Sequence, residues 1–528
     1  MPRWLRSPRW LRSPRWLALL AGALPVLAFP APNLEWLAWF GLLPGLMVIL
    51  RAATAREGGI RGWWMGAGYV IVAMYWMAPE IGPGLLLLGV VLGFLWIPFG
   101  VAAWSLLRPP VTWRRALAAL VVLPSCWLLT EWLRSWQGFG GPWAVYGASQ
   151  WQHPAILALA SVGGVWLVSW ALVAANVAIM LVLLTRRVSV TAGIGLAALV
   201  VVVGAGPLAF ALTPPFATVR HVTVALVQPG MIAATHEYAT VTLTGASSKG
   251  GTLAGTKPDL IVWGESSIPY SLFLDKPLLS QVEALSAKDG AEILANQDTT
   301  PPGKGHEKWS VLVSSSGIKG VYVKTRLVPF GEYIPFRQQL GWLTRISRAA
   351  SSNMVPGPGA HLLEAVDRAG RPLPIGVLIC FESAFPDMAR VDADMGAQLI
   401  VYQSSTSTFQ GTWGPDQHAS LAAVRAAETG RPVVQAALTG DSVAFDARGR
   451  ELARMGQPQH GVLTVRLSLP AGSDRTLYDQ WGDYVPWTAV GVVVLAALIG
   501  LARSNAKRRR AGVGDDRAAQ CTEGQSVP

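Results

Sequence analysis

The chain has 528 residues, of which 52% are hydrophobic and only 14% charged, with 24 Trp and a formal net charge of +12. These figures speak against a soluble enzyme and for a membrane protein with a water-exposed part. The charge does not read as a nucleic-acid surface, because residues 213–484 hold 23 Lys and Arg against 24 Asp and Glu, while the other 20 basic residues lie in and around apolar segments. That distribution is a topology signal.

The N-terminus repeats PRWLRSPRWLRSPRWL, with Arg3, Arg6, Arg9, Arg12 and Arg15 ahead of an apolar run. A second apolar segment follows at once, so the first reads as a retained span with an interfacial Arg–Trp anchor rather than a cleaved signal. Apolar segments at about 16–30, 34–50, 63–80, 83–107, 116–136, 155–185 and 189–212 predict seven crossings, making residues 1–212 a membrane domain. With the N-terminus in the cytoplasm, Arg51, Arg56 and Arg61, then Arg108, Arg114 and Arg115, then Arg186 and Arg187 all fall in cytoplasmic loops. Arg134 alone lies on the other side, three residues from Glu131, and the two are expected to form an interfacial ion pair. The Gly- and aromatic-rich WQGFGGPWAVYG, 136–147, reads as an interfacial re-entrant turn. An eighth span at 485–502 returns the chain to the cytoplasm, where 503–528 form a basic tail with KRRR at 507–510.

Between them, residues 213–484 read as an extracytoplasmic domain. Strands are predicted at 221–228, 259–266, 291–297, 309–315, 320–328, 375–382, 398–405, 432–440, 442–449 and 461–469, and helices at 276–289, 385–396 and 417–429. Several strands are continuously apolar, which predicts a sheet covered by helices on one face and by a second sheet on the other. Cys126, Cys380 and Cys521 are too scattered for a disulfide framework or a zinc site, and no metal or cofactor is expected.

Three places carry the chemistry. In LPIGVLICFESAFPD the apolar run ends abruptly at Cys380, the pattern of a buried strand delivering a thiol to a turn at its carboxyl end. DLIVWGESSIPY sets Glu265 in the same kind of position, and GVYVKTRLVPFGEYIPF sets Lys324 after a strand, with Glu332 eight residues on. A thiol needs a base to become a thiolate and a cation to stabilise the oxyanion formed on attacking a carbonyl. Glu265 supplies the first and Lys324 the second.

The ordered Glu, Lys, Cys triad within IVWGES, KTRLVPFGEYIPF and GVLICFES is similar to that of the nitrilase superfamily. The LVPFGEYIPF wording, the seven preceding spans, the one following and RAAETGRPVVQAALTG at 425–440 resemble the apolipoprotein N-acyltransferase family over nearly the whole chain. The resemblance implies a multi-pass α-helical membrane domain with an extracytoplasmic nitrilase-like αββα sandwich on the outer face of the bacterial cytoplasmic membrane. It implies Glu265 as base, Lys324 as oxyanion-stabilising cation and Cys380 as nucleophile, with Glu332 and Glu382 as supporting carboxylates that orient the lysine and shape the thioester site. Phe381, Trp413 and Tyr333 are candidate substrate contacts. The implied partners are a phospholipid acyl donor and a diacylglyceryl-modified apolipoprotein acceptor, joined by ping-pong transfer through a Cys380 thioester. The chain departs from the family at Gly264, usually Pro, at Phe381, often Tyr, and at SSTSTFQGTWG, 404–414, the loop expected to touch lipid or substrate.

Apolar loop residues Ile268, Tyr270, Leu272, Phe273, Trp342 and Leu343 are expected to dip into lipid as arms over the site. Two other readings compete: a membrane-tethered amidohydrolase that gives its acyl group to water, and a non-catalytic lipid-binding scaffold. The intact triad argues against the scaffold.

Overall fold

The computed structural model describes residues 13–185, 189–231, 235–303, 305–345 and 353–523. Arg3, Arg6, Arg9, Arg12, Arg186, Arg187 and the side chains of Leu343 and 507–510 lie outside what it describes. Five helices, Gly84–Leu107, Trp113–Arg134, Pro154–Leu184, Val190–Leu212 and Tyr484–Asn505, are long and apolar enough to cross a membrane, and Pro14–Ala28 and Glu35–Leu50 are shorter apolar helices. The expected third span, 63–80, overlaps the Ala55–Ala73 helix, capped by the Thr54 side chain, which is not among those five. Arg61, expected in a loop, is buried inside that helix, where it pairs with Glu57 at 3.1 Å and donates to the Val48 carbonyl at 2.7 Å. The first helix crosses this one at very close range: a Cβ at Gly68 would lie 1.9 Å from the Leu19 carbonyl oxygen. Only small residues permit that approach.

Glu131 and Arg134 are fully buried and, among the described residues, form no ion pair with each other. Each holds the backbone of the following loop instead: Glu131 accepts from Tyr146 N–H at 2.7 Å, and Arg134 donates to the Ala144 carbonyl at 3.4 Å. The expected interfacial pair is thus a pair of internal anchors for residues 136–147.

The remainder forms two six-stranded sheets. The first has the order β12-β1-β2-β3-β4-β5, with β1 Arg220–Gln228, β2 Leu260–Trp263, β3 Glu292–Thr299, β4 Glu307–Ser314, β5 Gly317–Val323 and β12 Gly461–Leu469. The second has the order β11-β10-β9-β8-β7-β6, with β6 Leu363–Val366, β7 Pro372–Ile379, β8 Leu399–Ser404, β9 Val433–Ala437, β10 Ser442–Phe445 and β11 Glu451–Met455. Side-chain alternation sends Leu260 and Val262 of β2 inward to meet Ile375, Val377 and Ile379 of β7, while Ile261 and Trp263 face the helices outside. The Lys276–Asp289 helix covers the first sheet, and Pro386–Met395 and Gly414–Thr429 cover the second. This is the expected αββα sandwich. The outer face of the second sheet, with Leu378, Ile400 and Tyr402, belongs to the same continuous core as Trp96, Trp127 and Trp166 of the membrane helices.

One contact ties the two parts directly. The Pro154–Leu184 helix breaks at Gly163 and Gly164, and the freed Val165 N–H is accepted by Glu428 at 2.7 Å, whose other oxygen pairs with Arg425 at 2.9 Å. Burial raises the Glu428 carboxyl from 4.5 to about 7 despite Arg425. The folded chain keeps a proton there that the unfolded chain has lost, so this group's contribution to stability falls as pH rises from about 4.5 to about 7. We therefore expect the detergent-solubilised protein to melt at a lower temperature as pH rises through this window. Glu428→Gln, permanently neutral, should show a smaller drop; equal pH slopes in the two proteins would contradict the assignment.

Candidate active site

Glu265, Lys324 and Cys380 arrive from three strand ends. β2 stops at Trp263, and the chain then passes so close to the end of β9 that a Cβ at Gly264 would lie 2.5 Å from Leu438 N. Gln403 of β8 reaches across from the other sheet to donate to the Trp263 and Leu294 carbonyls at 2.8 and 3.0 Å, and Glu265 N–H donates to the Ser404 carbonyl at 3.1 Å. The carboxylate is therefore fixed by both sheets. Lys324 follows β5 and its N–H donates to the Lys308 carbonyl at 2.9 Å. Cys380 follows β7 with φ +51°, a left-handed conformation uncommon outside glycine, and opens the single 3₁₀ turn Cys380–Ala384.

Glu382 holds that turn. One of its oxygens accepts from Ile379 N–H at 2.8 Å, and the other from Thr325 N–H at 2.6 Å, Arg326 N–H at 3.0 Å and the Tyr322 hydroxyl at 3.0 Å. The cysteine turn and the residues directly after Lys324 are thus clamped by one buried carboxylate.

Around the thiol lies a compact charge cluster. Lys324 Nζ, with 0% exposure, stands 2.6 Å from Glu332 Oε1 and 3.4 Å from Glu265 Oε1. The second Glu332 oxygen accepts from Val328 N–H at 2.9 Å, which fixes the loop that carries it. The Cys380 thiol and the Glu265 carboxylate act on each other, the carboxylate opposing ionisation of the thiol. Burial opposes ionisation of Glu265, but Lys308 and Lys324 overcome it and hold the carboxyl at about 2. Burial would also lower the Lys324 pKa, yet Glu332 and Glu265 raise it well above the ordinary lysine value. Burial, then Glu265, pushes the Cys380 thiol up. The resting site is a neutral thiol aimed at an ionised carboxylate beside an ammonium. Such an arrangement moves a proton from sulfur to Glu265 only as a new bond forms at sulfur, with Lys324 ready to meet negative charge.

Two members of the site escaped the sequence reading. Lys308, on β4, lies 3.4 Å from Glu265 Oε1 and 2.9 Å from Asp298. Its signal was a charged pair, Glu307 and Lys308, opening an otherwise apolar strand. His418 lies buried behind Cys380: Nε2 is 3.1 Å from the Cys380 carbonyl oxygen and 2.6 Å from Ser383 Oγ, and Nδ1 is 3.0 Å from Ser404 Oγ. Burial lowers its pKa to about 4, so at neutral pH it is an uncharged brace between the strand end that binds Glu265 and the turn that carries Cys380.

The candidate substrate contacts lie in different settings. Phe381 is 2% exposed, stacked 6.5 Å from Trp143 and meeting Phe385 edge-on at 4.9 Å. Trp413 meets Tyr75 edge-on at 4.7 Å, and Phe409 of the same loop meets Trp76 at 4.8 Å, so 404–414 docks on the end of a membrane helix. Tyr333 is half-buried, its carbonyl accepting from Phe330 N–H. The 136–147 loop, expected as a simple interfacial turn, inserts Trp143 between Trp76 and His418 at 5.1 and 5.6 Å, directly over the cysteine turn. Of the expected lipid arms, Ile268 and Leu272 are corrected: both are fully buried in the core outside the first sheet. Tyr270, Phe273 and Trp342 are exposed, together with Phe336.

Lys308→Met removes one of the two ammoniums on Glu265, so that carboxyl should titrate above its present value of about 2. The burst of nitrophenol from a short-chain nitrophenyl ester at Cys380 should then lose rate at a higher pH on its acid side than in the wild type. An unmoved acid limb would show that Lys308 does not govern Glu265.

Comparison with known proteins agrees with this geometry. Residues 21–178 match the family model of the apolipoprotein N-acyltransferase N-terminal domain, and residues 223–473 that of carbon-nitrogen hydrolases. The apolipoprotein N-acyltransferase of Chlorobaculum tepidum is 29% identical over 529 residues, spanning 92% of this chain and 96% of its own. That of Pseudomonas paraeruginosa is 30% identical over 94% of this chain and 98% of its own, and that of Pseudomonas syringae pv. tomato 31% identical over 85% and 89%.

Proposed function

Because the chain belongs to the apolipoprotein N-acyltransferase family, acyltransferases with a carbon-nitrogen hydrolase catalytic domain, we propose that it carries an acyl chain from a membrane phospholipid, through Cys380, to the α-amine of the N-terminal diacylglyceryl-cysteine of a lipoprotein. The observation that carries this reading is the contact of thiol, carboxylate and ammonium at Cys380, Glu265 and Lys324, packed against loops of the membrane helices. Glu265 takes the thiol proton as sulfur attacks the donor ester. Lys324, oriented by Glu332, stabilises the tetrahedral oxyanion until Glu265 passes its proton to the departing lysophospholipid oxygen, leaving a thioester and an ionised Glu265. The acceptor amine then attacks the thioester, losing its proton to Glu265, and the amide leaves with the thiol restored. Phe381, Trp413 and Tyr333 serve in this reading as walls and anchors of the substrate path.

The seven N-terminal segments and the Tyr484–Asn505 helix bring residues 213–484 to the extracytoplasmic face of the bacterial cytoplasmic membrane, with both termini inside. The apolar helices and the arginines between them support that arrangement. Both substrates are anchored in the bilayer, so a site at its surface works at a high effective concentration.

Intact mass of the protein incubated with phospholipid, then with a diacylglyceryl-cysteine peptide, tests the reading. We expect an acyl adduct on wild type that moves to the peptide amine and is abolished in Cys380→Ala. Decay only to free fatty acid would mean the amidohydrolase, and no adduct at all would sink both. Glu332→Gln leaves the buried Lys324 with a weaker partner and should slow adduct formation by about 10²-fold or more in single-turnover assays.

A further inference from the structure

Away from the cysteine turn, the catalytic domain meets the membrane helices at a second seam. The start of the Pro154–Leu184 helix, the end of the Val190–Leu212 helix and the Pro214–Phe216 strap that follows enclose a cavity of ≈ 380 Å³ against Ala447 and Arg448, just beyond β10. A neighbouring cavity of ≈ 330 Å³ shares Phe216, Ala447 and Arg448 with it and runs on to Arg450 and Arg466. Together they form one groove, apolar where the helices end and basic where it reaches the sheet.

Three features decide what fits it. Arg448 lies 3.9 Å over the Phe210 ring and donates to the Thr213 and Phe210 carbonyls at 2.9 and 3.3 Å, so its charge is fixed where the helix ends. Capping those carbonyls explains one side of this guanidinium but not Arg466, which is exposed on β12. Among the described residues, neither Arg448 nor Arg466 forms an ion pair, whereas nearby Arg450 is spoken for by Asp446 at 2.8 Å. Second, these arginines stand on the catalytic-domain side of the helices, opposite to Arg108 and Arg114, so the topology rule that accounts for the loop arginines does not account for them. Third, Pro154, Ala158, Phe210, Pro214 and Phe216 give the helix end of the groove an apolar lining beside the fixed Arg448 guanidinium.

We propose that this groove seats one anionic phospholipid that binds without reacting, its phosphate on Arg448 and Arg466 and an acyl chain in the apolar cavity between the start of the Pro154–Leu184 helix and the end of the Val190–Leu212 helix. Arginine suits a phosphodiester because its planar fork pairs with two oxygens at once. The groove shares no lining residue with the Cys380 cluster, so this lipid is a wedge that holds the catalytic domain on its helices rather than an acyl donor.

The test uses the full chain in a Cys380→Ser background, which removes covalent acylation and makes the result independent of the acyl-transfer reading. The protein is reconstituted with phosphatidylcholine and a minor fraction of phosphatidylglycerol, re-extracted in mild detergent, and its retained lipid quantified by mass spectrometry. We expect about one phosphatidylglycerol per chain, and at least about tenfold less in Arg448→Gln/Arg466→Gln. The Arg448→Lys/Arg466→Lys protein keeps the charges without the fork and should retain an intermediate amount, which separates lost binding from lost folding. Equal phosphatidylglycerol in the parent and the Gln variant, or retention of phosphatidylcholine in proportion to its supply, would overturn the proposal.

Discussion

A lysine ammonium with no exposed surface cannot stay charged without compensation close by, and much of the catalytic domain is arranged to provide it. Lys324 is held between Glu332 and Glu265, and Glu265 is shared with Lys308, which leans in turn on Asp298. Removing one partner from such a cluster costs far more than a surface ion pair, because the remaining charge is left in a low-dielectric interior. The backbone geometry follows from that demand. Gln403 fixes the end of β2, Glu382 fixes the turn at Cys380 to Thr325 and Arg326, and Val328 N–H fixes Glu332. These are backbone clamps on the segments that carry charges, so the cluster sits in one geometry.

The same economy explains why the thiol remains protonated at rest. Two ammoniums stabilise Glu265 as an anion, and an anion in contact with sulfur opposes a second negative charge there. A free thiolate would be open to indiscriminate alkylation and oxidation, whereas this thiol gains nucleophilicity only as its proton leaves toward Glu265. Neutral His418 braces the arrangement without adding a charge to it.

Much of this was legible in the chain because the strands that carry chemistry are buried on both faces. β2, β7 and β8 read as unbroken apolar runs, and the polar residue ending each run stands out. What was missed follows from the same logic. β6 and β11 are the two edges of the second sheet, short and partly exposed, so neither apolar continuity nor clean alternation marks them. The His236–Gly250 helix is rich in Thr, Ser and Gly and shows no strong apolar stripe. Lys308 and His418 act on partners more than 30 residues away across sheet and helix, as the Lys308–Glu265 and His418–Cys380 contacts demonstrate, and such pairings are set by tertiary structure alone. Hydropathy over 63–80 missed the start of the Ala55–Ala73 helix because Arg56, Glu57 and Arg61 lie in its first turns, where Glu57 pairs with Arg61.

The junction with the membrane domain is where fold and function meet. The Gly414–Thr429 helix touches the second sheet on one side and the Pro154–Leu184 helix on the other, and it carries both His418 behind Cys380 and Glu428 at the break of that apolar helix. Trp143 completes the contact by reaching from the membrane loop to Phe381, the residue after the cysteine. The shape of the Cys380 turn therefore depends on side chains from the membrane domain as well as from its own sheet. Cutting the chain at residue 213 would expose Phe381, Phe409 and Trp413 and take the Val165 N–H from Glu428, so the catalytic domain is not an autonomous module tethered to an anchor. The membrane helices and the Cys380 turn are thus joined by shared side chains, and neither takes its final shape without the other.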